Sequence, residues 1–248
     1  MIGEIFNTIF YRPIFNLLIL FVQFLPGHDL GIAIIFLTLL IRLILHPFVT
    51  RSLKIQKAIQ EIQPQLQEIQ KKYNGDKEKQ VQETLKLWRE KKVNPFGGFL
   101  FPLIQIPVMI ALFLVLRAFG NGLAELELKN LYHFVPKPTT ISPFFLGILD
   151  LSKSFSLTVE SQITYYWPVF PLIILATVLS FLQMRTAQPK MKKEAGSKNF
   201  PQLFQKQMTY FLIFFSFFIL IQLPSAIALY WSVSSLYSII QQKLILKT

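Results

Sequence analysis

Of the polar residues in stretches apolar enough for a lipid bilayer, six make a candidate site: Thr38, Arg42, Gln105, Tyr230, Trp231 and Ser234. Arg42 is the most informative. It is the only fixed charge in Leu30–Phe48, LGIAIIFLTLLIRLILHPF. A charge at bilayer depth costs about 2.5–3.5 kcal/mol on insertion scales. Such a residue usually faces a polar cavity, a partner or a substrate. The plain alternative is snorkelling, since Arg42 lies about six residues, or ~9 Å of helix, from the end of the run. Thr38 and Arg42 are four apart and share a helix face. Tyr230, Ser234 and Tyr237 share a face of the last apolar run. If the two faces converge, they line a polar groove holding one cation. A carboxylate about 4 Å away would gain roughly 4 kcal/mol at moderate dielectric, before desolvation. That biases a segment into the groove without trapping it. The alternative for the hydroxyls and amides, Thr177, Ser180, Gln183, Ser216, Gln222, Ser232 and Ser235 among them, is glue between helices.

Other chemistry lacks material. His28, His46 and His133 are scattered over different segments. No zinc-protease, phosphate-loop, dinucleotide or nucleophile-elbow motif occurs. The expected spans hold no acidic residue for a proton relay, and no ligand spacing suits a metal. We expect no enzyme, no metal and no cofactor. The chain has no cysteine, which excludes disulfides, thiolate sites and a lipoprotein anchor. The first residues do not read as a cleaved signal: Glu4 precedes any positive charge, and no small-residue cleavage site follows Leu25.

The elements that must position these groups are helices. The chain has 248 residues, 52% hydrophobic and 15% aromatic. Long apolar runs and the lack of alternating strand patterns indicate an all-α polytopic membrane protein and exclude a β-barrel. Residues 4–25 are apolar but interrupted by Asn7, Arg12, Pro13 and Asn16. They are expected as an interfacial amphipathic helix, with a weak first span as the alternative. Spans are expected at about 30–49, 95–118, 165–184, 208–223 and 226–242, five in all. Between the first two, residues 50–94 form a helical hairpin. Ile55, Ile59, Ile62, Leu66, Ile69 and Tyr73 make one stripe, and Val81, Leu85 and Trp88 a second. Asn74-Gly75-Asp76 turns the chain between them, and Pro64 kinks the first arm or starts a new helix. A plain connecting coiled coil is the alternative, but so long a structured loop favours function. Residues 119–163 form a mixed outer segment, with Pro143–Leu149 at the interface. Residues 185–206 form a basic, mobile cytosolic loop.

The net charge is +12, unevenly spread. Of 25 Lys and Arg, 11 lie between Thr50 and Asn94 and six between Arg185 and Lys206. Five spans, with the N-terminus outside and the C-terminus cytosolic, put every basic cluster on one side, as the positive-inside rule requires. The same clusters suit anionic lipid or ribosomal RNA. No internal repeat supports an inverted-repeat transporter.

The chain resembles the YidC-type membrane protein insertases, bacterial relatives of the mitochondrial Oxa and thylakoid Albino insertases. The likeness runs from about residue 11 to 242. It is carried by Pro13 and Asn16, GIAIIFLTLLIRLILHP, IQPQLQEIQKKYNGD, VNPFGG, PLIQIPVMIALF, FLGILDLS and LPSAIALYW, in that order. There are departures. The Trp often found after the Gly that opens the first span is missing, the usual Met-Pro reads Met208-Thr209, and the usual Pro-Ala-Gly reads Pro224-Ser225-Ala226. The resemblance covers the membrane core, and the large outer domain of some members is not expected in this stretch of chain. The resemblance implies a bacterial inner-membrane insertase with a five-helix core and a hydrophilic groove open to cytosol and lipid. Arg42 would attract acidic residues of a client's translocated tail, with Thr38, Gln105, Tyr230, Trp231 and Ser234 around it. The hairpin would receive clients or factors, and the tail, short here, would contact the ribosome. Action beside a Sec-type translocon is a further implied partnership. The rival classes are a small-solute transporter or channel with an anion site at Arg42, and a structural scaffold.

Overall fold

The structure is a computed structural model, and it describes residues 2–94, 100–120, 129–138, 142–159, 162–187 and 200–246. Nine α-helices are resolved among the described residues: α1 (Ile2–Phe6), α2 (Arg12–Phe24), α3 (Leu30–Glu61), α4 (Gln63–Lys72), α5 (Lys77–Glu90), α6 (Leu100–Gly120), α7 (Phe170–Ala187), α8 (Phe200–Gln222) and α9 (Ser225–Leu246). Three stretches are long and apolar enough to cross a membrane: Gly3–Phe24, Leu30–Glu61 and Trp167–Ala187. Gln105–Phe119 and Tyr210–Gln222 are shorter apolar helices. The chain divides into two compact units. One holds Met1–Leu43 and Pro107–Ile239, the other Ile44–Ile106 and Ile240–Thr248.

In the first unit, α1 and α2 run on through a π-helical turn, Asn7–Tyr11. Pro13 lacks an N–H and its ring crowds the carbonyl four residues back, and the wider π turn just upstream accommodates both. The helix meets the length and composition of a span, so its polar interruptions alone do not assign it to an interface. Its polar residues hold the segment 129–138 along its side. Asn16 is buried and fully satisfied. Its Nδ2 donates to the Arg12 and Asn130 carbonyls at 2.7 and 2.9 Å, and its Oδ1 accepts from Tyr132 N at 2.7 Å. At the far end Gln23 Nε2 donates to the Pro136 carbonyl at 2.8 Å.

The segment 142–165, expected without strands, holds two antiparallel hairpins. β1 (Phe144–Phe145) pairs with β2 (Leu149–Asp150), and β3 (Ser156–Val159) with β4 (Gln162–Tyr165). Strands of two to four residues are too short to leave a readable alternation. The first hairpin turns at Leu146 and Gly147, with φ of 53° and 71°. It is tied to the start of α3. Asp29 Oδ1 caps the helix by accepting from Ile32 N at 2.9 Å, while Oδ2 accepts from Leu146 N at 2.6 Å. Gly31 is needed for this approach, because a Cβ there would overlap the ring of Phe145. The same segment receives α9. Ser225 Oγ donates to the Asp150 carbonyl at 3.0 Å, and the Ser225 and Ala226 amides donate to the Lys153 and Leu151 carbonyls. Thus GIAII, FLGILDLS and LPSAIALYW, separate in sequence, meet in space.

In the second unit, α4 and α5 follow one another across a tight turn at Tyr73–Asp76. Pro64 sits in the first turn of α4, where its missing N–H costs no bond. Asp76 caps α5 by accepting from Lys79 N at 3.1 Å. α3 continues through Pro47 into the first arm without a break at residue 49. The first stripe is half to fully buried, with Ile62 at its centre. The second differs from expectation: Leu87 is buried and Trp88 half-buried, while Val81 and Leu85 are 57% and 43% exposed. With so few apolar residues in α5, Leu87 and Trp88 decide which face turns inward. Gln241 Nε2 donates to the His46 carbonyl and to Thr50 Oγ1, both at 3.1 Å.

The expected basic loop 185–206 is helical at both ends, in α7 to Ala187 and in α8 from Phe200. The remainder, 188–199, and residues 95–99, which hold the end of the VNPFGG motif, lie outside the described residues.

Candidate functional site

α3 positions Arg42 and α9 positions Ser234, and both belong to the first unit. Arg42 is only 6% exposed. Its Nε donates to Ser234 Oγ at 3.0 Å, and Nη2 donates to the same oxygen. Snorkelling is therefore not what Arg42 does here: its head turns inward to another helix. Among the described residues Ser234 is its only hydrogen-bond partner, and no carboxylate pairs with it. A hydroxyl satisfies a donor but brings no opposite charge. A guanidinium carries five N–H donors in a fork shaped for a carboxylate, so this site can accept an acidic group.

The other residues expected here divide. Tyr230 is buried one turn before Ser234, and it and Tyr237 lie within electrostatic reach of Arg42. Thr38 is fully buried one turn from Arg42, but its hydroxyl donates to the Ile34 carbonyl of its own helix at 2.6 Å. Its hydroxyl proton is therefore spent within α3. Trp231 turns elsewhere: its Nε1 donates to Ser180 Oγ on α7 at 2.8 Å. That bond is helix glue, the alternative the sequence left open. Ser232 and Ser238 donate to carbonyls four residues back. Gln105, half-buried on α6, belongs to the second unit. Sequence reasoning placed Tyr237 on the Tyr230 face without naming it a site residue, and the four- and three-residue spacing was the available signal.

Two described carboxylates of the first unit, Asp150 and Asp29, serve structure. Asp150 Oδ1 accepts from Ser152 N and Oγ at 3.0 and 2.6 Å, and its Oδ2 lies 3.4 Å from Lys153 Nζ. Asp29 caps α3. Among the described residues no three His, Cys, Asp or Glu side chains group as metal ligands.

Residues 21–248 match the family described as 60Kd inner membrane protein. A protein from Syntrophobacter fumaroxidans is 34% identical over 215 residues, which are 87% of this chain and 34% of that one. A protein from Fusobacterium nucleatum is 32% identical over 240 residues, 94% of this chain and 97% of its own. One from Geobacter metallireducens is 31% identical over 237 residues, 96% of this chain and 37% of its own. All three are named membrane protein insertase YidC. The chain thus spans about a third of the length of most of these relatives and nearly all of the Fusobacterium one. With apolar helices fit to cross a bilayer and a family match over most of its length, the chain belongs to the 60Kd inner membrane protein family.

Proposed function

We propose that this chain inserts client membrane proteins into the bilayer, with Arg42 as the attracting charge. The supporting observation is the buried guanidinium held on a neutral hydroxyl, with no carboxylate partner among the described residues. An acidic residue in the short translocated tail of a client would supply the missing charge. Arg42, Ser234 and Tyr230 form the contact surface, Thr38 keeps its edge polar, and Trp231 braces α7 against α9. The client's apolar segment then partitions into lipid, which drives the reaction without a nucleotide. The relatives' shared name supports the insertase reading.

The proposed architecture has five spans, built on α3, α6, α7, α8 and α9, with the N-terminus outside and the C-terminus cytosolic. In it α1 and α2 lie in the outer interface. Their support is the segment 129–138, which meets the helix both at Asn7 and at Gln23. The hairpin α4–α5 receives clients or factors. Ribosome contact through the basic tail and action beside a Sec-type translocon belong to the same reading.

The test is reconstitution into liposomes with a short client bearing an acidic translocated tail. Protease protection is compared for the native chain and Arg42→Ala, with folded protein verified in both. Insertion that needs the protein and drops in the variant supports the charged groove. Insertion that needs the protein but ignores the variant removes Arg42 from the mechanism. A folded protein that inserts nothing returns the transporter and scaffold classes.

A further inference from the structure

A second basic site lies away from Arg42. A cleft of about 490 Å³ opens between the π-helical turn and the last turns of α6. Its polar wall is Asn7, Asn130 and Arg117, and its apolar wall includes Phe6, Leu114 and Ala118. Asn7 Nδ2 lies 3.5 Å from Asn130 Oδ1, so the two amides stand side by side. Arg12 adds a second cation behind them: its Nε donates to the Asn130 carbonyl at 3.3 Å, and its guanidinium lies 5.1 Å from the Tyr132 ring centre. One turn before Leu114 on the same helix, Ile110 is 44% exposed.

Each part has an ordinary explanation. Arg117 suits a helix C-terminus, and an exposed isoleucine suits lipid. Their combination in one cleft is more specific. A cation with two amides at one end and greasy surface at the other matches an amphiphile whose anionic head joins an acyl chain. The volume falls in the range of small-ligand sites. An Arg–phosphate bond is charge-assisted and directional. Basic pockets beside membrane helices bind anionic headgroups by this chemistry.

We propose that this cleft binds the phosphate headgroup of an anionic glycerophospholipid, from the leaflet facing segment 129–138. Arg117 grips the phosphate, the Asn7 and Asn130 amides hydrogen-bond the headgroup, and the chain lies over Leu114 and Ile110. A lipid seated there would brace the widened turn of α1–α2 against α6. The inference is independent of client insertion.

The test uses the full chain reconstituted in phosphatidylcholine vesicles containing a minor share of phosphatidylglycerol. Protein is extracted in mild detergent, and bound phosphatidylglycerol is counted by native mass spectrometry. The expected result is one retained phosphatidylglycerol, held about tenfold more weakly by Arg117→Gln, as loss of one charge-assisted hydrogen bond requires. Arg117→Lys should keep it, and Ala118→Phe, which fills the cleft but leaves the charge, should lose it. Unchanged retention in both Arg117→Gln and Ala118→Phe overturns the proposal. Loss in Arg117→Gln alone does too, since it marks surface charge and no cleft. Displacement by an equal concentration of inorganic phosphate would identify the ligand as the free anion and overturn the lipid assignment.

Discussion

Arg42 and Ser234, 192 positions apart, are joined by two hydrogen bonds from one guanidinium to one hydroxyl. The pair couples α3 to α9 and keeps a cation inside apolar surroundings. Its stabilising part and its functional part are separable by mutation.

Ser234→Ala removes the acceptor but leaves the charge. Stranding a buried donor costs about 1–3 kcal/mol, so the thermal midpoint in detergent should fall. Ser234→Ala in an Arg42→Ala background should cost little, because the donor is already gone. Equal effects in both backgrounds would break the coupling.

Arg42→Lys keeps the charge and loses the planar fork. Insertion of an acidic-tailed client should drop modestly in Lys and about tenfold in Ala, matching a net gain near 1.4 kcal/mol from the pair. Protease protection across a client series with Asp, Asn and Lys tails reads this directly. A variant effect independent of tail charge would leave the arginine without its assigned role.

Trp231→Phe tests the division between groove and glue. The substitution deletes the bond to Ser180 and keeps an aromatic ring, smaller than the indole. It should lower stability by about 1 kcal/mol and leave the dependence of insertion on client tail charge unchanged. A loss of that dependence at full stability would return Trp231 to the groove.

Gly31→Ala places a methyl inside the Phe145 ring contact. Overpacking of this kind typically costs about 1–3 kcal/mol. Thermal unfolding should show the loss, and Phe145→Ala should relieve it in the double variant. Additive losses would mean the clash is absorbed elsewhere.

Asp29→Ala removes the cap on Ile32 N and the acceptor for Leu146 N together. The expected cost is about 1–2 kcal/mol. Hydrogen exchange should quicken at both Ile32 and Leu146, the second showing that the hairpin hangs on the first turn of α3. Faster exchange at Ile32 alone would limit Asp29 to capping.

Much of the helical framework was legible because its signals are local. Pro64 and Asp76 mark helix starts by backbone chemistry that needs no tertiary partner. The four-residue spacing put Thr38 beside Arg42 and Ser234 beside Tyr230. The hairpins at 144–165 were not legible: two- and four-residue strands take their register from backbone pairing and from Asp29, which is remote in sequence. The exposed Val81 and Leu85 were misread because a spacing rule identifies a face, whereas packing selects which face is covered.

Composition and period alone determined that the chain is a helical membrane protein with an unusual internal cation, since burying backbone polar groups in lipid leaves few alternatives. Only the tertiary structure decided what that cation meets. In a helix that is apolar on nearly every side, hydropathy does not set rotation about the axis, because lipid is as apolar as leucine. Rotation is set by the few polar groups that find partners across helices. That is why Ser234 reaches Arg42, while Trp231, three residues earlier, reaches Ser180.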